Sequence, residues 1–348
     1  MKFNAIGLMS GTSLDGLDIC FAEFQKTADL WKFEILHAET IPYSNVWEQK
    51  LRTAMQLSAE QLLALNSEYG FYLGERVKEF ISKHKITEID LIASHGHTVF
   101  HQPEKRFTTQ IGDGRAIKLL NDIPVVYDFR SQDVLMGGNG APLVPIGDEL
   151  LFAKFDACVN LGGFSNISFK EEGNRIAFDI CPVNIVLNRY AELLNKKYDR
   201  NGETARSGTV NAEVLKALNS LPFYRNSPPK SLGLEWVREN VFELFDGLKP
   251  EDVLAIFTEH AAEQISAVFR KYRLEKVLFT GGGTYNSFLI ELISSKCSSE
   301  TVIPNPQIIN FKEALIFSFM GVLRINNETN VLASATGSSR NHSSGLIV

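Results

Sequence analysis

The sequence predicts an α/β protein built from two similar halves, and three glycine turns spaced along the chain carry that expectation. The first lies in Ile6-Gly7-Leu8-Met9-Ser10-Gly11-Thr12-Ser13-Leu14-Asp15-Gly16-Leu17-Asp18. Apolar residues precede it (Phe3, Ala5, Ile6, Leu8) and follow it (Leu17, Ile19, Phe21), so it joins two strands of a hairpin. The second, in Ala157 to Phe169, repeats the scheme of apolar strand, Gly162-Gly163 turn and apolar strand. The third, Gly281-Gly282-Gly283, ends the apolar run from Val277 and leads into Phe288 to Ile293, which reads as a helix. One such turn is weak, but three in this order suggest a nucleotide gripped between the halves. Neither the P-loop pattern nor a G-x-G-x-x-G opening a helix near the start is present.

The remaining elements follow in chain order. Strands are expected at 3–9, 17–24 and Trp31 to Glu39. From Ser58 to Lys83 the apolar residues Leu62, Leu65, Tyr69, Leu73, Val77 and Phe80 keep a helical period, with Ser58 as N-cap. A short buried strand, Leu91-Ile92-Ala93, delivers Ser94 and His95 to its C-terminal end, and Pro124 to Tyr127 delivers Asp128 and Arg130. Strand C-termini face the ligand crevice in open α/β sheets, so both deliveries point to a site. After the loop Gly137-Gly138-Asn139-Gly140, read as a boundary or hinge, the scheme repeats. It gives the hairpin at 157–169, a strand ending at Phe178-Asp179 and a helix from Asn184 through Leu194. Pro222 to Pro229 reads as a surface connection, 251–272 as an amphipathic helix, and Glu313 to Arg324 as a buried one.

The 348 residues suffice for two domains with real cores. A formal charge of -6 without blocks of like charge argues against nucleic acid as a partner, and an anionic substrate then needs local basic residues. No apolar run has the length of a membrane span, and the N-terminus enters a strand without a signal-peptide pattern. Cys20, Cys158, Cys181 and Cys297 form no C-x-x-C pair and read as free thiols of a reducing compartment.

In the first turn, Gly11 and Gly16 free the backbone to approach a ligand. Backbone N–H groups and the hydroxyls of Ser10, Thr12 and Ser13 suit phosphate oxygens, and Asp15 or Asp18 suits a magnesium ion held through water. An ordinary polar hairpin turn is the alternative reading of the same residues.

Taken in order, these stretches resemble the 1,6-anhydro-N-acetylmuramic acid kinases of the sugar kinase, actin and heat-shock-protein ATPase superfamily. The match includes Gly7 to Asp18, Ser94 to His101, Gln110 to Asp113, Asp128-Phe129-Arg130, Gly137 to Pro145, Asn160 to Ile167, Phe178-Asp179, Gly281 to Gly283, Glu313-Ala314-Leu315 and Thr336-Gly337. The resemblance implies two actin-like (ribonuclease-H-like) domains flanking a nucleotide and sugar cleft. Residues 1–130 with a returning 312–348 form the first, and 131–311 the second. It implies ATP and Mg2+, a cytoplasmic homodimer and a role in peptidoglycan recycling. The reaction implied is opening of the 1,6-anhydro ring by water, coupled to phosphorylation of the 6-hydroxyl, giving N-acetylmuramic acid 6-phosphate.

Mapped onto this chain, the nucleotide is expected at Ser10, Gly11, Thr12, Ser13, Leu14, Asp15, Gly16, Leu17, Gly162, Gly163, Gly281, Gly282, Gly283 and Asn286, and the metal at Asp15 and Asp18. His95, Thr98, Asp128, Arg130 and Glu313 match sugar-site positions. Arg130 suits a carboxylate or polar sugar face through its paired donors, or else an internal ion pair with Asp128 or Asp133. Glu313 suits a substrate hydrogen bond or a helix start. Asp179 matches the catalytic aspartate, which activates water; a cap for the helix after Pro182 is the alternative. His95, His97 and His101 form H-x-H-x-x-x-H, but no acidic or cysteine ligand shares the spacing, so a metal triad is not expected.

Two departures stand out. The family's F-D-T-G-P-G-N is Phe178-Asp179-Ile180-Cys181-Pro182-Val183-Asn184 here, and Gly7 stands where many superfamily members carry a magnesium-organising aspartate. The first departure keeps two rivals open: a kinase for another amino sugar or anhydrosugar, and a non-catalytic nucleotide-dependent binding protein.

Overall fold

The computed structural model describes residues 1–11, 14–28 and 30–348. They form two compact units, 1–152 with 311–348, and 153–310.

The first unit is built on a mixed sheet. Strands β1 (Lys2–Ser10), β2 (Leu17–Thr27) and β3 (Leu30–Ile41) form an antiparallel meander, and β4 (Leu91–Gln102) and β6 (Val125–Tyr127) add in parallel beyond β1. β5 (Phe107–Ile111) pairs with β4 off this path, and the edge strand β12 (Leu346–Ile347) closes against β6. The helix Ala59–His84 covers one face. Its N-terminus is the expected one, with Ser58 accepting from Gln61 N–H and Gln61 returning the bond to Ser58 N–H. Leu65, Tyr69, Leu73, Val77 and Phe80 meet Ile6, Leu8, Ile19, Ile92 and Ile117 in the core.

β4 is longer than the apolar triplet Leu91-Ile92-Ala93 suggests. Its parallel pairing with β6 ends at Ser94, after which it continues as a hairpin with β5 from His97 on. Gly96 marks the change: its φ is +73°, and a Cβ there would stand 2.5 Å from the Ile111 carbonyl oxygen. His95 therefore sits where the strand leaves β6 while still running beside β1, not at a strand end.

The buried helix Pro306–Ile325 is longer than expected, and the division between the units falls inside it. Its first-unit part presses on β1 and β4. A Cβ on Gly7 would lie 1.9 Å from the Ala314 carbonyl oxygen, and one on Gly321 2.8 Å from Ala93 Cβ. Glycine at position 7 is thus a condition of this approach.

The second unit repeats the strand order and sense. β7 (Ala157–Leu161), β8 (Phe164–Glu171) and β9 (Asn174–Pro182) form the meander, and β10 (Lys276–Thr280) and β11 (Glu300–Val302) add in parallel beyond β7. The order β9-β8-β7-β10-β11 thus mirrors β3-β2-β1-β4-β6, the duplication that an actin-like pair requires. The helix Pro250–Tyr272 supplies Val253, Ile256, Phe257, Ile265 and Phe269 to its core. β9 runs through Asp179 to Pro182 instead of ending there.

The boundary after 130 is displaced. Residues 131–152 belong to the first unit because buried polar bonds and close packing hold them there. Asp133 accepts from Thr336, Asn139 N–H donates to the Thr336 carbonyl, and Gly147 leaves no room for a Cβ beside Ile316. The loop 137–140 thus lies inside one unit and is not the boundary between the two. Among the described residues no helix is long and apolar enough to cross a membrane, and Cys20, Cys181 and Cys297 are free thiols.

Candidate active site

The first turn connects β1 to β2, as its flanking apolar residues require. Thr12 and Ser13 lie outside the described residues. Gly11 accepts from Leu14 N–H at 3.4 Å, closing the turn, and Leu14 takes φ 60°. The side chains of Leu14 and Leu17 enter the core, which leaves their backbone as the part able to meet a ligand. The Ser10 hydroxyl is buried and accepts from Tyr43 at 2.8 Å while meeting His97 Nδ1 at 3.1 Å. These bonds tie it into the support of the turn. Burial lowers the His97 pKa to about 4, so His97 supports the turn as a neutral ring.

Asp18, next along β2, accepts from the Thr40 hydroxyl at 2.5 Å. Burial pushes its carboxyl up to about 6; the Thr40 bond opposes the rise, and the charges of Glu313 and Asp15 add to it. Three acidic groups thus share one region of the first unit. No three His, Cys, Asp or Glu side chains converge as a metal cage among the described residues. That is compatible with magnesium, which keeps several waters and needs only one or two carboxylates besides phosphate.

His95 and Arg130 form the centre of the expected sugar region. His95 Nδ1 lies 2.9 Å from the Gly96 carbonyl, which can only accept, so Nδ1 carries the proton and Nε2 is left as an acceptor. Arg130 Nε donates to that Nε2 at 2.8 Å. Burial first, and then the Arg130 charge, hold the His95 pKa well below its usual value, so the ring stays neutral. Arg130 also donates Nη1 to the Gly140 carbonyl at 2.6 Å, so its donors serve His95 and Gly140 instead of forming the ion pair weighed with Asp128 or Asp133. Burial lowers its own pKa to about 10 against the raising influence of Glu313 and Asp133.

Glu313 is exposed to solvent, yet the protein around it raises its carboxyl pKa, opposed by Arg130 and Lys312. It stands within the helix Pro306–Ile325 and does not begin it. Thr98 accepts from Gln110 at 3.2 Å, and Asp128, at φ 55°, accepts from Ser131 N–H at 3.3 Å. Asp128 also lines a polar cavity of about 180 Å³ with Asn66, Thr109, Gln110 and Tyr127. The three histidines do not converge: His97 meets Ser10 and His101 meets Thr108.

In the second unit the two glycine turns meet each other. Gly281, at φ +83°, would place a Cβ 2.5 Å from Asn160 Oδ1, and Gly283 would place one 2.8 Å from Leu161 Cβ. Gly282 has open space around it, and the nearest atom to a Cβ on Gly163 would be Ile185 Cβ at 3.9 Å. The carbonyls of Gly162 and Gly163 accept from the N–H groups of Asn184, Val183 and Ile185, so the start of the helix Asn184–Glu192 clasps the turn. Asn286 is occupied structurally, since its side chain caps the helix Ser287–Lys296 by accepting from Leu289 N–H at 3.1 Å.

Asp179 lies on the edge strand β9 opposite Asn166. It does not cap the following helix, whose N-cap residue Val183 makes no side-chain cap bond. The segment 230–232 runs beside it: Asp179 N–H donates to the Lys230 carbonyl at 3.1 Å, and Leu232 N–H donates to Asp179 Oδ2 at 2.8 Å. Burial raises the Asp179 pKa and the Leu232 bond opposes that rise. Lys230 anchors the segment by donating to the Phe223 carbonyl at 3.2 Å and lying over the Phe223 and Phe178 rings. No sequence signal marks Lys230 or Leu232, which follow a stretch with the composition of a surface connection. Ile180, Cys181 and Val183, where the family motif is altered, are buried in the apolar core.

A duplicated sheet with glycine turns at its strand connections is the frame of a nucleotide-dependent phosphotransferase. The first unit also holds a neutral histidine bonded to an arginine, and the class that fits this frame is that of ATP-dependent sugar kinases. Within it, the family model for anhydro-N-acetylmuramic acid kinase matches residues 3–348, and the chain belongs to that family. An anhydro-N-acetylmuramic acid kinase of Francisella tularensis subsp. novicida is 34% identical over 361 residues, covering 95% of each chain. One from Bacillus cereus is 32% identical over 363 residues with the same coverage. Component A of the (R)-2-hydroxyglutaryl-CoA dehydratase of Acidaminococcus fermentans, a solved structure, aligns at 11% identity over 91% of this chain and 96% of that one, with a TM-score of 0.48.

Proposed function

We propose that this protein uses ATP and water to convert 1,6-anhydro-N-acetylmuramic acid to N-acetylmuramic acid 6-phosphate and ADP. The names of its relatives supply the substrate. The observation that carries the chemistry is Asp179: a carboxylate of raised pKa, with Oδ2 fixed by Leu232 N–H, and not engaged as a helix cap. Such a group suits removal of a proton from water attacking the anomeric carbon. The bridging oxygen leaves that carbon, stays on C6 and accepts the γ-phosphoryl group of ATP. Phosphoryl transfer then needs alignment and charge neutralisation more than covalent help.

The roles of the site residues belong to the same proposal. The backbone of Gly11, Leu14, Gly16 and Leu17 and the turns at Gly162, Gly163, Gly281, Gly282 and Gly283 approach the nucleotide. Thr12 and Ser13 keep the phosphate role that the sequence suggests, while Ser10 and Asn286 support their turns. His95, Thr98, Asp128, Arg130 and Glu313 bind the sugar, with Arg130 facing its carboxylate or hydroxyls. Asp15 and Asp18 fit Mg2+, since Asp18 lies in an acidic region whose mutual repulsion a cation relieves. When bound, the ion neutralises phosphate charge. A homodimer, cytoplasmic placement and work in peptidoglycan recycling complete the reading.

The test incubates purified protein with ATP, Mg2+ and the anhydrosugar in 18O-water. The expected product is heavier than the substrate by one water and one phosphoryl group, with the label on the anomeric hydroxyl. ATP consumption that no sugar stimulates refutes the kinase reading. Phosphorylation of a different sugar in preference moves the substrate and keeps the class.

A further inference from the structure

One fully buried carboxylate of the first unit has no part in the chemistry above. Asp133, in the short helix Ser131–Leu135, is 0% exposed. Its Oδ2 accepts Gly140 N–H at 2.7 Å and its Oδ1 accepts the Thr336 hydroxyl at 2.7 Å; His342 Nε2 stands 3.7 Å from Oδ1. Taking a carboxylate out of water is costly unless its lone pairs are filled. Gly138 makes way for it, since a Cβ there would lie 2.2 Å from Oδ2.

Following the bonds outward shows what the carboxylate holds. Gly140 gives its N–H to Asp133, and its carbonyl receives Arg130 Nη1 at 2.6 Å. Arg130 Nε in turn reaches His95 Nε2 at 2.8 Å, and His95 Nδ1 ends the chain on the Gly96 carbonyl. An arginine side chain has much rotamer entropy to lose, so a site that needs its guanidinium in one plane must fix at least two of its donors. The two fixed here are Nε and Nη1, and the carbonyl receiving Nη1 belongs to a glycine loop that Asp133 and Thr336 immobilise from behind.

The geometry points to Asp133, seated by Thr336, as the positioning residue that sets Arg130, and through its bond to Nε2 the placement of His95, for the sugar. This rests on the reading of Arg130 as a sugar contact. Hydrogen bonds to a charged acceptor are roughly twice as strong as neutral ones, which suits a loop that must not drift while its carbonyl aims a guanidinium.

The test compares Asp133→Leu, which removes both acceptors at similar volume, with Thr336→Val, which removes the hydroxyl donor and keeps the shape. Asp133→Asn is the conservative variant, because its amide oxygen still accepts Gly140 N–H. Losing a hydrogen bond to a charged group costs enough for the sugar KM to rise about tenfold in Asp133→Leu and severalfold in Thr336→Val. In both, kcat and the ATP affinity measured without sugar stay within about twofold of the parent. Asp133→Asn retains most of the parent behaviour. Nitrogen NMR of His95 reads the linkage without turnover: the Nε2 signal is shifted by the Arg130 hydrogen bond in the parent and moves toward that of an unbonded acceptor nitrogen in Asp133→Leu. A folded Asp133→Leu with the parent sugar KM and unchanged His95 signals overturns the proposal. So does ATP affinity falling in step with sugar affinity, the mark of a merely structural carboxylate. If Asp133→Leu does not fold, Thr336→Val decides on the same criteria. A parent that fails to turn over the anhydrosugar refutes the sugar reading, whereas the His95 signals still test the link from Asp133 to Arg130.

Discussion

Replacing Asp18 by asparagine is expected to make the protein more stable at neutral pH and worse at using ATP. Folded Asp18 keeps its proton up to about pH 6, whereas the ordinary aspartate value is 3.8. Between those values the unfolded chain binds fewer protons than the folded one, so this group's contribution falls as pH rises and reaches its full penalty above about 6. At 1.36 kcal/mol per unit the rise corresponds to at most about 3 kcal/mol. The side chain is only partly buried, and solvent screening brings this to about 1–2 kcal/mol. Asparagine keeps an oxygen for the Thr40 hydroxyl and sheds the charge. Urea unfolding of parent and variant at about pH 4 and about pH 8 should show a stability gain only at the higher value. In parallel, the variant should need more Mg2+ for half-maximal ATP turnover. An equal stability difference at both pH values would refute the electrostatic account of Asp18, and an unchanged Mg2+ requirement would remove it from the metal site.

Three further outcomes follow from the same geometry. Gly282→Val adds a side chain where a Cβ meets nothing within 4 Å, so stability should stay within about 0.5 kcal/mol while ATP affinity falls at least about tenfold; normal ATP binding would take this turn off the nucleotide. Arg130→Lys cannot serve both His95 Nε2 and the Gly140 carbonyl through a planar fork, so the sugar KM should rise about 10- to 100-fold at constant ATP affinity, as steady-state kinetics and calorimetry would show. Asp179→Asn should bind both ligands yet lose about two to four orders of magnitude in ring opening. In the parent, kcat/KM should fall as pH drops through the raised pKa of Asp179, so the acid limb lies above the ordinary aspartate value of 3.8; a folded variant with parent turnover would remove Asp179 as the base.

What is legible in the sequence, and what is hidden there, divides along a physical line. Period-2 and period-3.6 patterns are written in neighbouring residues, so the meander of β1 to β3, the helix after Ser58 and the hairpin at Gly162-Gly163 can be read directly. Apolar runs end too early at Ala93 and Asp179, because both strands continue on partners that such runs do not reveal: β4 on β5, and β9 on β8 through Pro182. Bonds that join distant residues are invisible. Thr336 meets Asp133 across 203 positions, and Leu232 reaches Asp179 across 53. Both bonds act on candidate functional groups from behind, and a serine, threonine or main-chain amide in that role carries no spacing signature. Gly7 shows the same limit from the other side. In the sequence it is a superfamily aspartate gone missing, whereas in the fold it is the space that lets Ala314 press on β1. With that space filled by helix backbone, no carboxylate can organise a cation from position 7. The carboxylates proposed for the metal lie beyond the turn instead, and at Asp18 burial first, with the charges of Glu313 and Asp15 adding to it, raises the pKa.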